Sequence, residues 1–188
     1  MKIGLFGGSF NPIHNEHVRI VKYTLEKRLV DKVWIMPCKI HAFGKKLATE
    51  KDRIKMIELA LRGIENAKIC DIELKSNGIN YTADTIKQLK EEYNHQFYFM
   101  IGFDILKNIN KWYKHKQLFN EVEFIAFKRK DYLFRRVPDM GIEYMVDWKE
   151  NKNFSSSLIR ERIKQNKSIK NLVPSVVEKY VKNNGLYG

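Results

Sequence analysis

Short apolar runs that stop at glycine or proline alternate along this chain with stretches of helical periodicity, and that alternation restricts the fold more than any other feature. Residues 2–6 are mostly apolar and end at Gly7-Gly8, as a buried strand does where it stops at a turn. From residue 14 to 29, Val18, Val21, Leu25 and Leu29 recur at helical spacing. Residues 33–36 read as a second strand, closed by Pro37, and a helix over about 50–64 is opened by the capping pattern Thr49-x-x-Asp52. Residues 67–72 form a third strand, 76–80 are turn material, and Thr82 is placed to cap a helix running to Tyr93. Strands four and five fall at 97–101, before Gly102, and at 122–127. A loop over 129–141 separates them from a sixth strand at 143–146. Two final helices start near Ser156 and near Pro174, where proline suits a first turn. Such alternation implies an α/β fold, a doubly wound parallel sheet with C-terminal helices. Its ligand crevice lies beyond the carboxyl ends of the strands, and the chain's polar signatures cluster there.

Composition narrows the class. At 188 residues, with neither an internal repeat nor a low-complexity linker, the chain reads as one domain over 1–188. No apolar run approaches the ~20 residues of a membrane helix, and residues 1–6 run straight into the glycine turn, so neither membrane nor secretory leader is expected. Cys38 and Cys70 stand in no paired or metal-ligand spacing, which fits a reducing, cytoplasmic setting and no protein-held metal. The net charge of +13 favours polyanionic partners. Because the cations are dispersed and interleaved with acids, as over 50–53 and 161–164, anionic small substrates are favoured over a specific nucleic acid. Association into a homo-oligomer stays open.

The segment Gly7-Gly8-Ser9-Phe10-Asn11-Pro12-Ile13-His14-Asn15-Glu16-His17 follows a strand and opens a helix. Glycines admit close backbone approach to an anion, and a helix start adds free N–H groups and the positive dipole end. His14 and His17 share one face of the first turn, positioned to donate to phosphate oxygens, and a nearby anion would favour their protonated forms. Two helix-surface histidines would show the same spacing; strand, glycines, proline and helix together favour the cradle for a triphosphate.

The pattern G-x-F-x-P-x-H-x-x-H resembles the signature of the nucleotidyltransferase superfamily, itself similar to the H-I-G-H of class I aminoacyl-tRNA synthetases. The chain is too short for a synthetase's anticodon domain. A second superfamily signature is resembled by Ser155-Ser156-Ser157-Leu158-Ile159-Arg160, where serines open a helix and Arg160 offers a bidentate fork. Within the superfamily the chain resembles the bacterial nicotinate (or nicotinamide) mononucleotide adenylyltransferases. Glu73-Leu74-Lys75 with Tyr81-Thr82-Ala83-Asp84-Thr85, Ile101-Gly102-Phe103-Asp104, Lys111-Trp112-Tyr113 and Lys128-Arg129 carry that likeness.

The resemblance implies a Rossmann-like fold and transfer of AMP from ATP, with Mg²⁺, to a pyridine mononucleotide. It implies catalytic roles for His14, His17 and Arg160, and an ATP site completed by Gly7, Gly8, Ser9, Phe10, Gly102, Asp104, Ser155, Ser156 and Ser157. The mononucleotide would meet Ser9, His41, Lys45, Tyr81, Thr82, Thr85, Trp112 and Arg129, with Trp112 stacked on the pyridine ring. From the residues alone, Asp104 can simply cap the following helix and Trp112 reads first as core; the resemblance reverses that order.

Four positions depart from the family pattern. Glu16 replaces a glycine; about 200° around the helix from His14, it is expected to face away from the triphosphate. The loop over 39–46 lacks the usual P-P-H-K, leaving His41 and Lys45 as its displaced cations. Ser157 stands for threonine and keeps the hydroxyl, while Phe103 is bulky enough to reshape the nucleotide pocket. The alternatives are a sister transferase acting on pantetheine phosphate or FMN and, from the charge, a nucleic-acid-binding protein.

Overall fold

The computed structural model describes residues 1–40, 47–76, 78–106, 108–129, 141–148 and 154–188, with Asp104 and Arg129 described by backbone alone. Six strands form one sheet: β1 (Lys2–Gly8), β2 (Lys32–Pro37), β3 (Ala67–Ile69), β4 (Gln96–Gly102), β5 (Glu123–Arg129) and β6 (Ile142–Trp148). Their order is β3-β2-β1-β4-β5-β6 and every pairing is parallel.

Period-2 alternation in the strands builds a core on each face. On β4, Phe97, Phe99 and Ile101 join Ile3, Leu5, Phe124 and Ala126 on one side. Tyr98 and Met100 join Phe6, Ile125 and Phe127 on the other. The first side is covered by α3 (Thr82–Glu92) through Ile86 and Leu89, and by α5 (His115–Glu121) through Leu118. The second is covered by α1 (Asn15–Glu26), α2 (Glu50–Leu61), α6 (Ser156–Lys164) and α7 (Ser175–Asn183) through Val21, Met56, Ile159 and Val177. Each fully buried aliphatic or aromatic side chain contributes roughly 1.5–3 kcal/mol. Gly4 belongs to this packing: a Cβ there would lie 2.8 Å from Met100 Sδ and 3.2 Å from Val30 Cγ2, so any larger residue would have to displace them.

Several boundaries differ from the expected ones. Helix α1 stops at Glu26 because Arg28 turns left-handed (φ 52°), although Leu29 and Val30 still pack against the core. Strand β3 spans three residues rather than six. Tyr81, not Thr82, is the N-cap of α3, and Pro174 is the N-cap of α7 rather than its first residue. After β4 come a four-residue helix, α4 (Phe103–Leu106), and a 3₁₀ turn (Ile109–Lys111), neither expected. Of the expected loop over 129–141, residues 130–140 lie outside the described residues.

Strand order reverses between β1 and β4, so the crevice expected of such sheets opens where Gly7-Gly8 and Gly102 end their strands. Among the described residues, no helix is long and apolar enough to cross a membrane.

Candidate active site

The loop leaving β1 is held from three sides. Phe10 adopts a positive φ of 45°, uncommon for a side chain of its size, and is 2% exposed. Its ring meets Phe6 and His17 edge-on at 5.6 and 5.1 Å. Gly8 accommodates it, since a Cβ would lie 3.2 Å from Phe10 Cζ. From α2, the buried Arg53 donates Nη1 to the Ser9 carbonyl (3.0 Å) and Nε to the Ala48 carbonyl (3.3 Å). Asn11 Oδ1 accepts from Ala48 N–H (3.0 Å) and Tyr187 hydroxyl (2.8 Å), tying in the chain's last residues.

Helix α6 closes the third side. Ser155 caps it by accepting from Leu158 N–H at 3.1 Å. Ser156 Oγ then donates to the Pro12 carbonyl (2.9 Å), and Arg160 Nη1 to the Asn11 carbonyl (2.7 Å), while Nη2 reaches Ser157 Oγ (3.2 Å). Two motifs some 145 residues apart in sequence are therefore one structural unit. Among the described residues Arg160 spends two of its donors on protein and keeps the rest of its fork.

His14 is the N-cap of α1, and its ring stacks on His17 with centroids 3.6 Å apart and planes 17° from parallel. The backbone N–H of His14 donates to His17 Nδ1 at 3.3 Å, so that nitrogen is unprotonated and Nε2 carries the proton. His14 Nδ1 is buried and has no hydrogen-bond partner among the described residues. Burial lowers His14 to a pKa of about 4 and pushes His17 well below the ordinary histidine value, with His14 adding to the shift. Without an anion beside them both rings are therefore neutral at pH 7. A bound polyanion would draw them back toward protonation.

Beside this unit, at the ends of β1 and β4, lies a cavity of about 730 Å³. Of the residues singled out from sequence, Gly7, Gly8, Ser9, Thr82, Gly102 and Trp112 line it. Trp112 lines the cavity and packs edge-on against Phe99 at 6.1 Å, partly buried at the margin of the core. Tyr81 and Thr85 do not line it. Tyr81 lies against Tyr113, ring centroids 4.3 Å apart, and the buried Thr85 donates its hydroxyl to Glu73. Asp104 and Arg129 fall by backbone at the ends of β4 and β5; His41 and Lys45 lie outside the described residues.

Glu16 does not face solvent. It is 5% exposed, accepts a hydrogen bond from Trp148 Nε1 and pairs with Arg19 at 3.1 Å, while Arg19 covers the Trp148 ring at 4.3 Å. Its charge is thus spent toward β6, away from the histidine stack. Phe103 does not reshape the cavity: it is 1% exposed and packed in the core beneath α3 and α5.

Sequence reasoning passed over Arg53, Asn11 and Glu73. Arg53 and Asn11 act on backbone groups far away in sequence, which no local pattern announces. Glu73 had a signal, its place in the Glu73-Leu74-Lys75 run, but no role was drawn from it.

A doubly wound parallel sheet whose first strand ends in a glycine–histidine loop clamped by a serine–arginine helix defines a nucleotidyltransferase. The cytidylyltransferase-like family model matches residues 5–162, a span that holds both motifs. The chain is 36% identical over 197 residues to the nicotinate-nucleotide adenylyltransferase of Bacillus subtilis (strain 168), covering 99% of this chain and 98% of the relative. It is 38% identical over 190 residues to a probable nicotinate-nucleotide adenylyltransferase of Bacillus licheniformis, at 99% and 98% coverage. The chain belongs to the nicotinate-nucleotide adenylyltransferase family. Among solved structures, Plasmodium falciparum nicotinic acid mononucleotide adenylyltransferase complexed with NaAD shares the fold at TM-score 0.86 and 22% identity, covering 99% of this chain and 97% of that one. The same enzyme complexed with APC gives 0.82 at 23% identity.

Proposed function

We propose that this chain transfers AMP from ATP to nicotinate mononucleotide, forming the dinucleotide and pyrophosphate. The observation that carries the reading is the clamp of Ser156 and Arg160 on the 11–12 backbone beside the His14–His17 stack, with a cavity for a second substrate adjoining it at Ser9. The named relatives supply the acceptor.

A phosphate oxygen of the mononucleotide attacks the α-phosphorus of ATP; the bond to the bridging oxygen breaks and pyrophosphate leaves with its electron pair. No enzyme nucleophile is consumed, so the protein acts by positioning and by meeting charge as it develops. His17 Nε2–H, His14 and the unspent donors of Arg160 meet the triphosphate. Trp112 offers its face to the pyridine ring and the first turn of α3, at Thr82, its backbone N–H groups. Mg²⁺ enters as the companion of the triphosphate. The groups turned toward the triphosphate, Arg160 and the two imidazoles, are donors rather than metal ligands, so an ion there would be held through phosphate oxygens. Bound there, it would neutralise charge on the leaving pyrophosphate.

Pyrophosphate release from ATP and Mg²⁺ with nicotinate mononucleotide, nicotinamide mononucleotide, pantetheine phosphate or FMN tests the reading. Release with a pyridine mononucleotide, faster for the acid form, is expected. Release only with pantetheine phosphate or FMN would overturn it.

A further inference from the structure

Among the described residues, the cavity wall holds one carboxyl, and the transfer step does not use it. Glu73 follows β3, is 8% exposed, and lines the cavity together with Asn80 and Thr82. Among the described residues it is paired with a hydroxyl rather than a cation: Thr85 Oγ1 donates to its Oε1 at 3.1 Å. The same hydroxyl lies 3.2 Å from the Tyr81 carbonyl, one turn back in α3. A hydroxyl has one hydrogen, so the two acceptors compete for it. Without Glu73, Thr85 would simply bond back into its own helix.

The surroundings show what the bond is for. The N-cap of α3, Tyr81, makes no side-chain cap bond, so the helix start is not fixed by its own cap. The connection from β3 is tied independently. Ser76 Oγ donates to the Glu73 carbonyl (3.1 Å), Asn80 Nδ2 to Ser76 Oγ (2.6 Å), and Lys39, just beyond β2, donates to the Ser76 carbonyl (2.7 Å). Glu73 is thus a fixed point, and Thr85 is the side chain by which α3 reaches it. Burial pushes the Glu73 carboxyl up, toward a form that repels an anionic acceptor less.

We propose that Glu73 is a positioning residue for the second substrate: through Thr85 it sets where the first turn of α3, with Thr82 on the cavity wall, stands relative to Trp112. This rests on the pyridine mononucleotide reading above. Steady-state constants for both substrates test it in Glu73→Ala, Glu73→Gln, Thr85→Val, Thr85→Ser and the combined Glu73→Ala/Thr85→Val enzyme. Glu73→Ala and Thr85→Val should each raise KM for the mononucleotide about tenfold while KM for ATP stays within about twofold, since only one subsite is displaced. Glu73→Gln keeps the acceptor and Thr85→Ser the hydroxyl, so both should lie within about threefold of wild type. The combined enzyme should be no worse than the worse single variant, because both remove one contact. A parallel rise in both KM values, multiplicative losses in the combined variant, or a Gln variant as poor as Ala overturns the proposal. If Glu73→Ala does not fold, Thr85→Val, which removes a single hydrogen bond, decides alone. Wild type that uses nicotinate mononucleotide beside a Thr85→Val enzyme of unchanged KM refutes this inference only; wild type that rejects every pyridine acceptor refutes the functional reading and this inference with it.

Discussion

His17 is enclosed by the rings of His14, Phe6 and Phe10, and one of its nitrogens is already occupied by the His14 backbone. That leaves Nε2 as the nitrogen able to donate to a ligand. His17→Ala should therefore lower kcat/KM at least about a hundredfold, the usual loss for one pre-positioned electrostatic contact. Turnover close to wild type, with an unchanged melting temperature, would remove His17 from the mechanism. The pair's spacing could be read from sequence; its stacking and neutrality could not, because rings from β1 and its loop impose them. Glu16 shows the same limit. Helical geometry gave its direction relative to His14, but its partner Trp148 sits 132 residues away, beyond the reach of any local pattern.

At the scale of elements, α6 acts as a brace on the loop after β1. Its two holds differ in kind: Ser156 contributes one neutral bond, Arg160 a charge-assisted one together with donors still free for phosphate. Ser156→Ala should raise KM for ATP several-fold with little change for the mononucleotide, whereas Arg160→Ala should lower kcat/KM for ATP tenfold to a hundredfold, as roughly 1.4–2.8 kcal/mol of contact implies. Because both restrain one loop, the combined variant should lose less than the product of the two; full multiplicativity would mean that the two side chains act on ATP independently. Strands and long helices were legible because period-2 and helical patterns are local, and Thr49 caps α2 as its sequence indicates. The failures share a cause. Arg28 and Lys114 adopt left-handed backbone without being glycine, and α4 and α5 are too short for a period to show. Tertiary packing, not propensity, sets those boundaries.

For the molecule as a whole, alternation announced a parallel sheet but not the order β3-β2-β1-β4-β5-β6, since strand order depends on which side each crossover takes. That order puts the glycine loop and Gly102 on adjacent strands and so creates the cavity. It also holds a buried His14 and a partly buried His17 as neutral groups, with a consequence for global stability. His14 takes a proton at about pH 4 when folded and near 6.5 when unfolded, so below pH 6.5 the unfolded chain binds more protons and stability falls with pH. Between pH 7 and 5 this removes about 2 kcal/mol for His14, and His17 acts in the same direction. Denaturant unfolding across that range should show the loss, and His14→Gln, which has nothing to protonate, should reduce it to the part that His17 contributes. A non-hydrolysable ATP analogue should stabilise the wild type more at pH 5.5 than at pH 7.5, because an anion beside the stack restores the charged form. Equal stabilisation at both values would mean that the triphosphate binds without drawing a proton onto either ring, leaving the histidines to serve only as neutral donors.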